Sequence, residues 1–311
     1  MNRKITLEPG DVGKLERNFL DIINMDYGLF RFEAVVDFVE IEIHTVAPTQ
    51  GKAIQRKCKL FGVTYARRIG ERGSYSGTAF RIRLYDVQSF VRLKSKIASI
   101  DEEFPFARPA TITMIEVAFD GYLKGKPNND QQAELAKLAA TMAYRIANPV
   151  SSNTRTYAGY RGSPQALPRS LDALVRQISE GRNVGIGNKR DERYQHCYLK
   201  TVDRSEPLPV ERHRARFEIR LAKGGLPHQD VEAWANFKFE TLANYISFRK
   251  VPDDATAFEH MLANAAADRA SHRRSIKRRN GGGTRNYTLR ADRELNEIVR
   301  DRLRTLTKRW R

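Results

Sequence analysis

Tyr194, His196, Tyr198 and Lys200 occupy alternate positions in the run 194–200, which follows a glycine-led charged turn at 187–193. If that run is a strand, alternate side chains share a face. Two phenols, an imidazole and an ammonium then lie together, with Gln195, Cys197 and Leu199 opposite. A phenol flanked by an imidazole and an ammonium is a plausible nucleophile, because both neighbours can hold or stabilise a phenolate. The same spacing also describes an ordinary polar sheet face that carries a tyrosine, and these residues alone do not decide between the two.

Carboxylates recur on three other stretches that read as strands. Along 32–44, Glu40, Glu42 and His44 share one face and Val39, Ile41 and Ile43 the other. Asp37 stands in the apolar part of that run, as an acidic site residue or a strand-end hydrogen-bonding group. Along 111–122, Glu116, Ala118 and Asp120 share a face opposite Ile115, Val117 and Phe119. Four residues along a strand separate two carboxylates by roughly 13 Å. Glu116 and Asp120 therefore do not chelate one ion together unless a bulge intervenes. Along 214–221 the alternation is clean, with Arg214, Arg216, Glu218 and Arg220 opposite Ala215, Phe217, Ile219 and Leu221. Glu218 in that setting either ligates an ion or balances its arginines.

Strands that bury one face and keep a charged one favour an antiparallel sheet with helices packed on its apolar side. The expected fold class is α+β, mainly antiparallel. Periodicity predicts strands at 59–65 and 78–84 around a Gly-rich hairpin-like turn, and helices at 9–25, 86–100, 130–147, 170–180, 230–248 and 254–267. Residues 45–51 read as a turn and 151–168 as a Gly/Pro-punctuated loop. The order strand, hairpin, helix, strand in 32–100 recurs loosely in 111–248, which suggests a duplicated unit.

The 311 residues suffice for one large or two ordinary domains. No run of about 18 apolar residues predicts a membrane span, and the first ten residues lack the apolar core of a signal peptide. Two cysteines make neither a disulfide framework nor a zinc motif, and a cytoplasmic location is expected. The net charge of +18 is concentrated: residues 269–311 hold 15 Lys/Arg against 4 Asp/Glu, leaving 40 against 33 in the rest. Such density favours a polyanion through counterion release, and nucleic acid over membrane. The expected division is an α+β DNA-binding domain at 1–268, then at 269–311 a basic linker and a terminal amphipathic helix with Leu295, Ile298, Leu303, Leu306 and Trp310 on one stripe. Gly281–Gly283 is a linker, since neither a preceding strand nor a Gly-Lys-Ser/Thr makes it a phosphate loop.

Three pieces in order resemble the rolling-circle replication initiation factors of plasmids and filamentous phages, a family related to conjugative-element relaxases. Residues 113–120, Thr-Met-Ile-Glu-Val-Ala-Phe-Asp, resemble the family's first acidic strand. Residues 186–200, from Ile186-Gly187 to Tyr198-Leu-Lys200, resemble the segment that carries its tyrosine. Arg214 to Leu221 resembles its Arg/Glu strand, and the likeness spans about 30–250. Met114, Glu116, His196 and Leu199 depart from the family pattern.

The resemblance implies a metal-dependent DNA nicking-closing endonuclease. Tyr198 falls at the nucleophile position, with His196 and Lys200 beside it and Tyr194 in reserve. Glu218, Glu116 and Asp120 fall at acidic positions for a divalent metal, Mg²⁺ or Mn²⁺. Arg214, Arg216 and Arg220, with Arg273, Arg274, Lys277, Arg278 and Arg279 of the basic tail, are the expected DNA contacts. The expected partners are double- and single-stranded origin DNA, a second copy in a homodimer, and a host helicase or polymerase, with no membrane. His44, His196, His213, His228, His260 and His272 are isolated, so the His-x-His metal motif of the other large class of tyrosine nickases is missing. The alternatives are a conjugative relaxase with the same chemistry and a DNA-binding regulator that keeps the fold without nicking.

Overall fold

Ala215, Phe217, Ile219 and Leu221 are all buried, and the strand they define is the middle one of a nine-stranded sheet. The computed structural model describes residues 25–70, 76–125, 131–158, 162–168, 171–203, 205–250 and 290–311. The sheet contains β1 (Phe30–Thr49), β2 (Val63–Arg68), β3 (Gly77–Tyr85), β4 (Phe106–Leu123), β5 (Thr154–Ala158), β6 (Pro164–Ala166), β7 (Arg182–Ile186) and β8 (Arg193–Lys200). Two short strands, β9 (Val202–Asp203) and β10 (Glu206–Pro207), pair with each other before β11 (Arg214–Ala222), the middle strand. Across the sheet the order is β2-β3-β1-β4-β11-β8-β7-β5-β6, and every neighbouring pair is antiparallel. A further ribbon pairs β12 (Arg249–Lys250) with β13 (Arg290–Ala291). The fold is thus α+β with one dominant antiparallel sheet.

Helices α1 (Gly51–Lys57), α2 (Phe90–Glu103), α3 (Gln131–Tyr144), α4 (Leu171–Ser179) and α5 (Arg293–Trp310) join the apolar face in one hydrophobic core. Helix α3 lies close against the central strands, where the Cys197 thiol donates to the Ala139 carbonyl at 3.0 Å. Gly121 of β4 makes this approach possible, since a Cβ there would stand 2.5 Å from Leu138. Asp292 caps α5 by accepting from the Leu295 amide at 3.1 Å. The stripe Leu295, Val299, Leu303, Leu306 and Trp310 is buried, and the Trp310 indole donates to the Trp234 carbonyl at 2.8 Å.

Several boundaries differ from the sequence reading for identifiable reasons. The strand expected at 32–44 runs from Phe30 to Thr49, through most of the turn expected at 45–51, and α1 begins at Gly51. Lys59–Phe61 is a 3₁₀ turn, and Gly62 reverses the chain at φ 84° before β2 begins. The loop expected at 151–168 holds the edge hairpin β5–β6, whose short strands, β6 opening on Pro164, carry little pattern. Helix α2 begins at Phe90, because Ser89 caps it by accepting from the Arg92 amide at 3.2 Å.

The helix expected at 230–248 is instead irregular, with 3₁₀ turns at Glu232–Trp234 and Phe239–Asn244. Its apolar residues Trp234, Phe239, Leu242 and Ile246 are buried as a helical stripe would be. The backbone, however, finds partners outside itself: the Phe239 amide donates to Thr307 Oγ1 of α5 at 2.8 Å. Local bonds such as Trp234 to Val231 and Thr241 to Lys238, with side-chain acceptors on α5 at Phe239 and Phe248, stand in place of a continuous intrahelical ladder. Both flanks of the sheet end in a hairpin followed by a helix, yet β3 pairs with β1 whereas β5 pairs with β7. Residues 9–24 of the helix expected at 9–25, the helix expected at 254–267, and the tail cations Arg273, Arg274, Lys277, Arg278 and Arg279 lie outside the described residues.

Candidate active site

The polar face of the sheet is organised by antiparallel register. Arg216 of β11 stands opposite Asp120 of β4, Arg220 stands opposite Glu116, and Glu218 between them faces the methyl of Ala118. Arg216 grips Asp120 with two hydrogen bonds, Nε to Oδ1 at 2.6 Å and Nη2 to Oδ2 at 2.7 Å. Arg214 adds an ion pair to the same carboxylate at 3.2 Å. Arg220 donates to Glu116 Oε2 from Nε at 2.7 Å and from Nη2 at 2.6 Å. The small Ala118 leaves room for Glu218 to lie between these two pairs.

A bulge brings in a third carboxylate. Val36 of β1 pairs with Val117 and Phe38 pairs with Glu116, so Asp37 is an extra residue in β1. A bulge re-aims side chains and shifts the in–out alternation by one. Before it, Phe32, Ala34 and Val36 face the core; after it, Phe38 and Glu40 lie with the charged groups. Phe38 accordingly sits beneath Arg83 and Arg220, whose guanidinium carbons are 4.8 and 5.6 Å from its ring centroid. Asp37 accepts from Arg216 Nη1 and lies 3.8 Å from Lys200 Nζ. Single oxygens of Asp37, Glu116 and Glu218 all lie within 4.8 Å of one another. Glu116 and Glu218 are buried, and Asp37 at 20% side-chain exposure is the member nearest solvent.

Tyr198 joins this cluster from β8. Its hydroxyl donates to Glu218 Oε1 at 2.7 Å, and its ring lies 4.6 Å from the His196 ring. His196 Nδ1 meets the other oxygen of Glu218 at 3.2 Å. Both groups therefore contact the same carboxylate. Lys200 turns instead to Asp203 at 2.8 Å and towards Asp37. Tyr194 is fully buried beneath Arg220, its hydroxyl packed towards Gly185 and without a hydrogen-bond partner.

The electrostatics follow from these contacts. Burial, together with the nearby charge of Glu218, pushes the Glu116 carboxyl up to about 8 even though Arg220 pulls it down. Burial also acts to raise Glu218, but the His196 hydrogen bond and charge, Arg216 and the Tyr198 hydroxyl hold it at about 2. Burial and the charge of Glu218 raise Tyr198 well above the ordinary phenol range, with Arg216 opposing. Glu116 is thus the acid that burial and its neighbour make hardest to ionise, and three converging hard oxygen donors suit a divalent cation.

Of the residues singled out from sequence, the structure unites Tyr198, His196, Glu218 and Glu116. Asp120 stands apart from the trio, held by Arg216 and Arg214. Asp37 takes the third place, signalled in sequence only as an acid in an apolar run. Arg216 and Arg220 are buried and engaged with carboxylates, so their first role is to place those acids. Tyr85 was not singled out; its phenol is hydrogen-bonded by Arg83 and feels the charges of Asp37 and Glu116.

Fold and site together define a class: an antiparallel α+β sheet whose polar face presents a tyrosine hydroxyl beside three clustered carboxylates. Among solved structures, the chain is similar to the rolling circle replication initiator protein from Geobacillus stearothermophilus, at 12% identity over 76% of this chain and 97% of that one, with a TM-score of 0.33. No protein-family model matches the sequence, and no curated protein does. At that level of similarity the site's own chemistry has to carry the functional reading. No helix among the described residues is long and apolar enough to cross a membrane.

Proposed function

We propose that this chain is a replication initiator of the rolling-circle kind, nicking one DNA strand through Tyr198 and later rejoining it. The observation that carries the reading is the hydrogen bond from the Tyr198 hydroxyl to Glu218, one of three carboxylates whose oxygens converge. In the nicking step the Tyr198 oxygen attacks the phosphorus, a tyrosine–5′-phosphate bond forms and the P–O3′ bond breaks. The phenol proton passes first towards Glu218 Oε1, which already accepts its hydrogen bond, and is handed on to the departing 3′ oxygen, which leaves as a hydroxyl that a polymerase can extend. Rejoining reverses the step, with the 3′ hydroxyl attacking the phosphotyrosine. A divalent cation, Mg²⁺ or Mn²⁺, held by Asp37, Glu116 and Glu218 would supply charge neutralisation at the phosphate and favour the phenolate.

His196 orients Glu218 in this reading, and Arg216 fixes Asp37 and Asp120 around the phenol. The basic residues of 269–311 add phosphate contacts, consistent with the concentration of charge there. The test uses supercoiled circular DNA that carries the coding region and its flanks, with Mn²⁺ or Mg²⁺. Expected are relaxed circles with protein attached at a 5′ end, and loss of the adduct in Tyr198→Phe. No adduct with the native chain would make it a non-catalytic DNA-binding protein, and an undiminished adduct in the variant would sink the Tyr198 assignment.

A further inference from the structure

A cleft of about 820 Å³ opens beside the carboxylate trio, lined by its Asp37 and by Lys200 and Arg216, which contact Asp37. We propose that this cleft holds one unpaired nucleobase of the DNA strand next to the phosphodiester that Tyr198 attacks, a proposal that rests on the nicking reading above. Its volume lies in the range of pockets that enclose small organic groups.

The cleft is where the regular sheet breaks down. Asp37 is the bulge of β1, and Thr64, which also lines the cleft, is an extra residue between the pairs Val63–Leu84 and Tyr65–Arg83. Asp86 at φ 56° and Ser205 at φ 73° line it too, two of the three non-glycine residues with left-handed backbone among the described residues. Bulges and unfavourable backbone conformations gather where a structure is shaped around a ligand.

The charges argue for a base rather than a phosphate. Among the described lining residues, five carboxylates face four cations. They largely satisfy one another: Arg216 with Asp37 and Asp120, Arg214 with Asp120, Lys200 with Asp203, and Arg309 with Glu33. A phosphate entering there would meet no net positive field, unlike at the arginine-rich surface of α5. A nucleobase is neutral, planar and edged with donors and acceptors, which is what the walls match. Tyr85 and Tyr122 offer ring surface, and the Gln88 amide suits a base edge. Tyr122 is already fixed in place, with the Arg31 and Arg214 guanidiniums 4.4 and 5.6 Å from its centroid. A base drawn out of the stack into such a pocket would hold its own phosphodiester near the trio.

Thr64 and Gln88 are exposed and outside the catalytic group, so Thr64→Trp and Gln88→Trp fill the cleft without touching Tyr198 or the carboxylates. Binding of labelled single-stranded oligonucleotides of each base is compared by fluorescence anisotropy with an abasic oligonucleotide of equal length and charge. The native protein should prefer at least one base-containing strand by about tenfold. Both tryptophan variants should lose most of that preference while binding the abasic strand as the native protein does, with unchanged thermal melts. A preference absent from the native protein, or retained in full by both variants, overturns the pocket. The covalent-adduct assay on the same proteins separates the two readings. Adduct with cleft-independent binding removes the pocket alone, whereas cleft-dependent base binding without adduct supports the pocket and removes the nicking reading.

Discussion

Arg216 and Arg220 determine which acids on the polar face remain available. Arg216 takes both oxygens of Asp120, whereas Glu116 gives only Oε2 to Arg220. Asp37→Asn and Glu116→Gln should therefore weaken Mn²⁺ binding, measured by calorimetric titration, by about tenfold or more with little loss of fold. Asp120→Ala should do the opposite, because removing one partner of a buried ion pair costs about 3–5 kcal/mol. Its thermal midpoint should fall well below that of the other two variants, and its remaining folded fraction should bind Mn²⁺ much as the native chain does. A large loss of Mn²⁺ affinity in folded Asp120→Ala would return Asp120 to the ligand set. Tyr198→Phe should change stability by only about 1 kcal/mol, since Glu218 keeps His196 and Arg216, so loss of adduct in that variant reports chemistry and not folding.

At the scale of elements, most of the sheet was readable from alternation. The runs around Glu116, Tyr198 and Glu218 appear as strands with the expected faces outward, because each is apolar on one side only. Asp37 was harder, since a strict period of two puts it opposite Phe38. Only the bulge lets both reach the polar face, and a bulge leaves no composition signal of its own. The irregular segment after β11 misled for the opposite reason: its apolar spacing is helical, but its amides make short-range 3₁₀ bonds or, at Phe239 and Phe248, reach side chains of α5. Deleting Asp37 should restore regular pairing between β1 and β4 with Val36 and Phe38 on their present faces, so the deletion, like Asp37→Ala, should melt cooperatively in circular dichroism. Gly121→Ala should cost about 1–3 kcal/mol in a urea titration by forcing α3 away from β4.

For the whole molecule, α5 belongs to the core and also carries a basic outer surface. Trp310→Ala should lower stability by about 3–5 kcal/mol, so deletion of 269–311 would confound lost binding with lost folding. Exposed Arg300 and Arg304 allow a cleaner test. Their replacement by glutamate should leave the thermal midpoint nearly unchanged and reduce the salt dependence of DNA binding by about one unit of slope per phosphate contact removed. An unchanged slope would place the DNA elsewhere on the surface.

The raised Glu116 carboxyl has a thermodynamic side. Because burial and the charge of Glu218 push the Glu116 carboxyl up to about 8, its ionisation costs the native chain stability as pH rises above the ordinary carboxylate range. Any cation that binds only the folded arrangement returns that free energy, by about 2.7 kcal/mol at a hundred times its Kd. The thermal midpoint should thus climb with the logarithm of Mn²⁺ concentration, and Glu116→Gln should melt higher than the native chain without metal yet respond little to its addition. Fold stability would then report on whether the site is armed, and a melting curve would read out the state of a catalytic centre before any DNA is present.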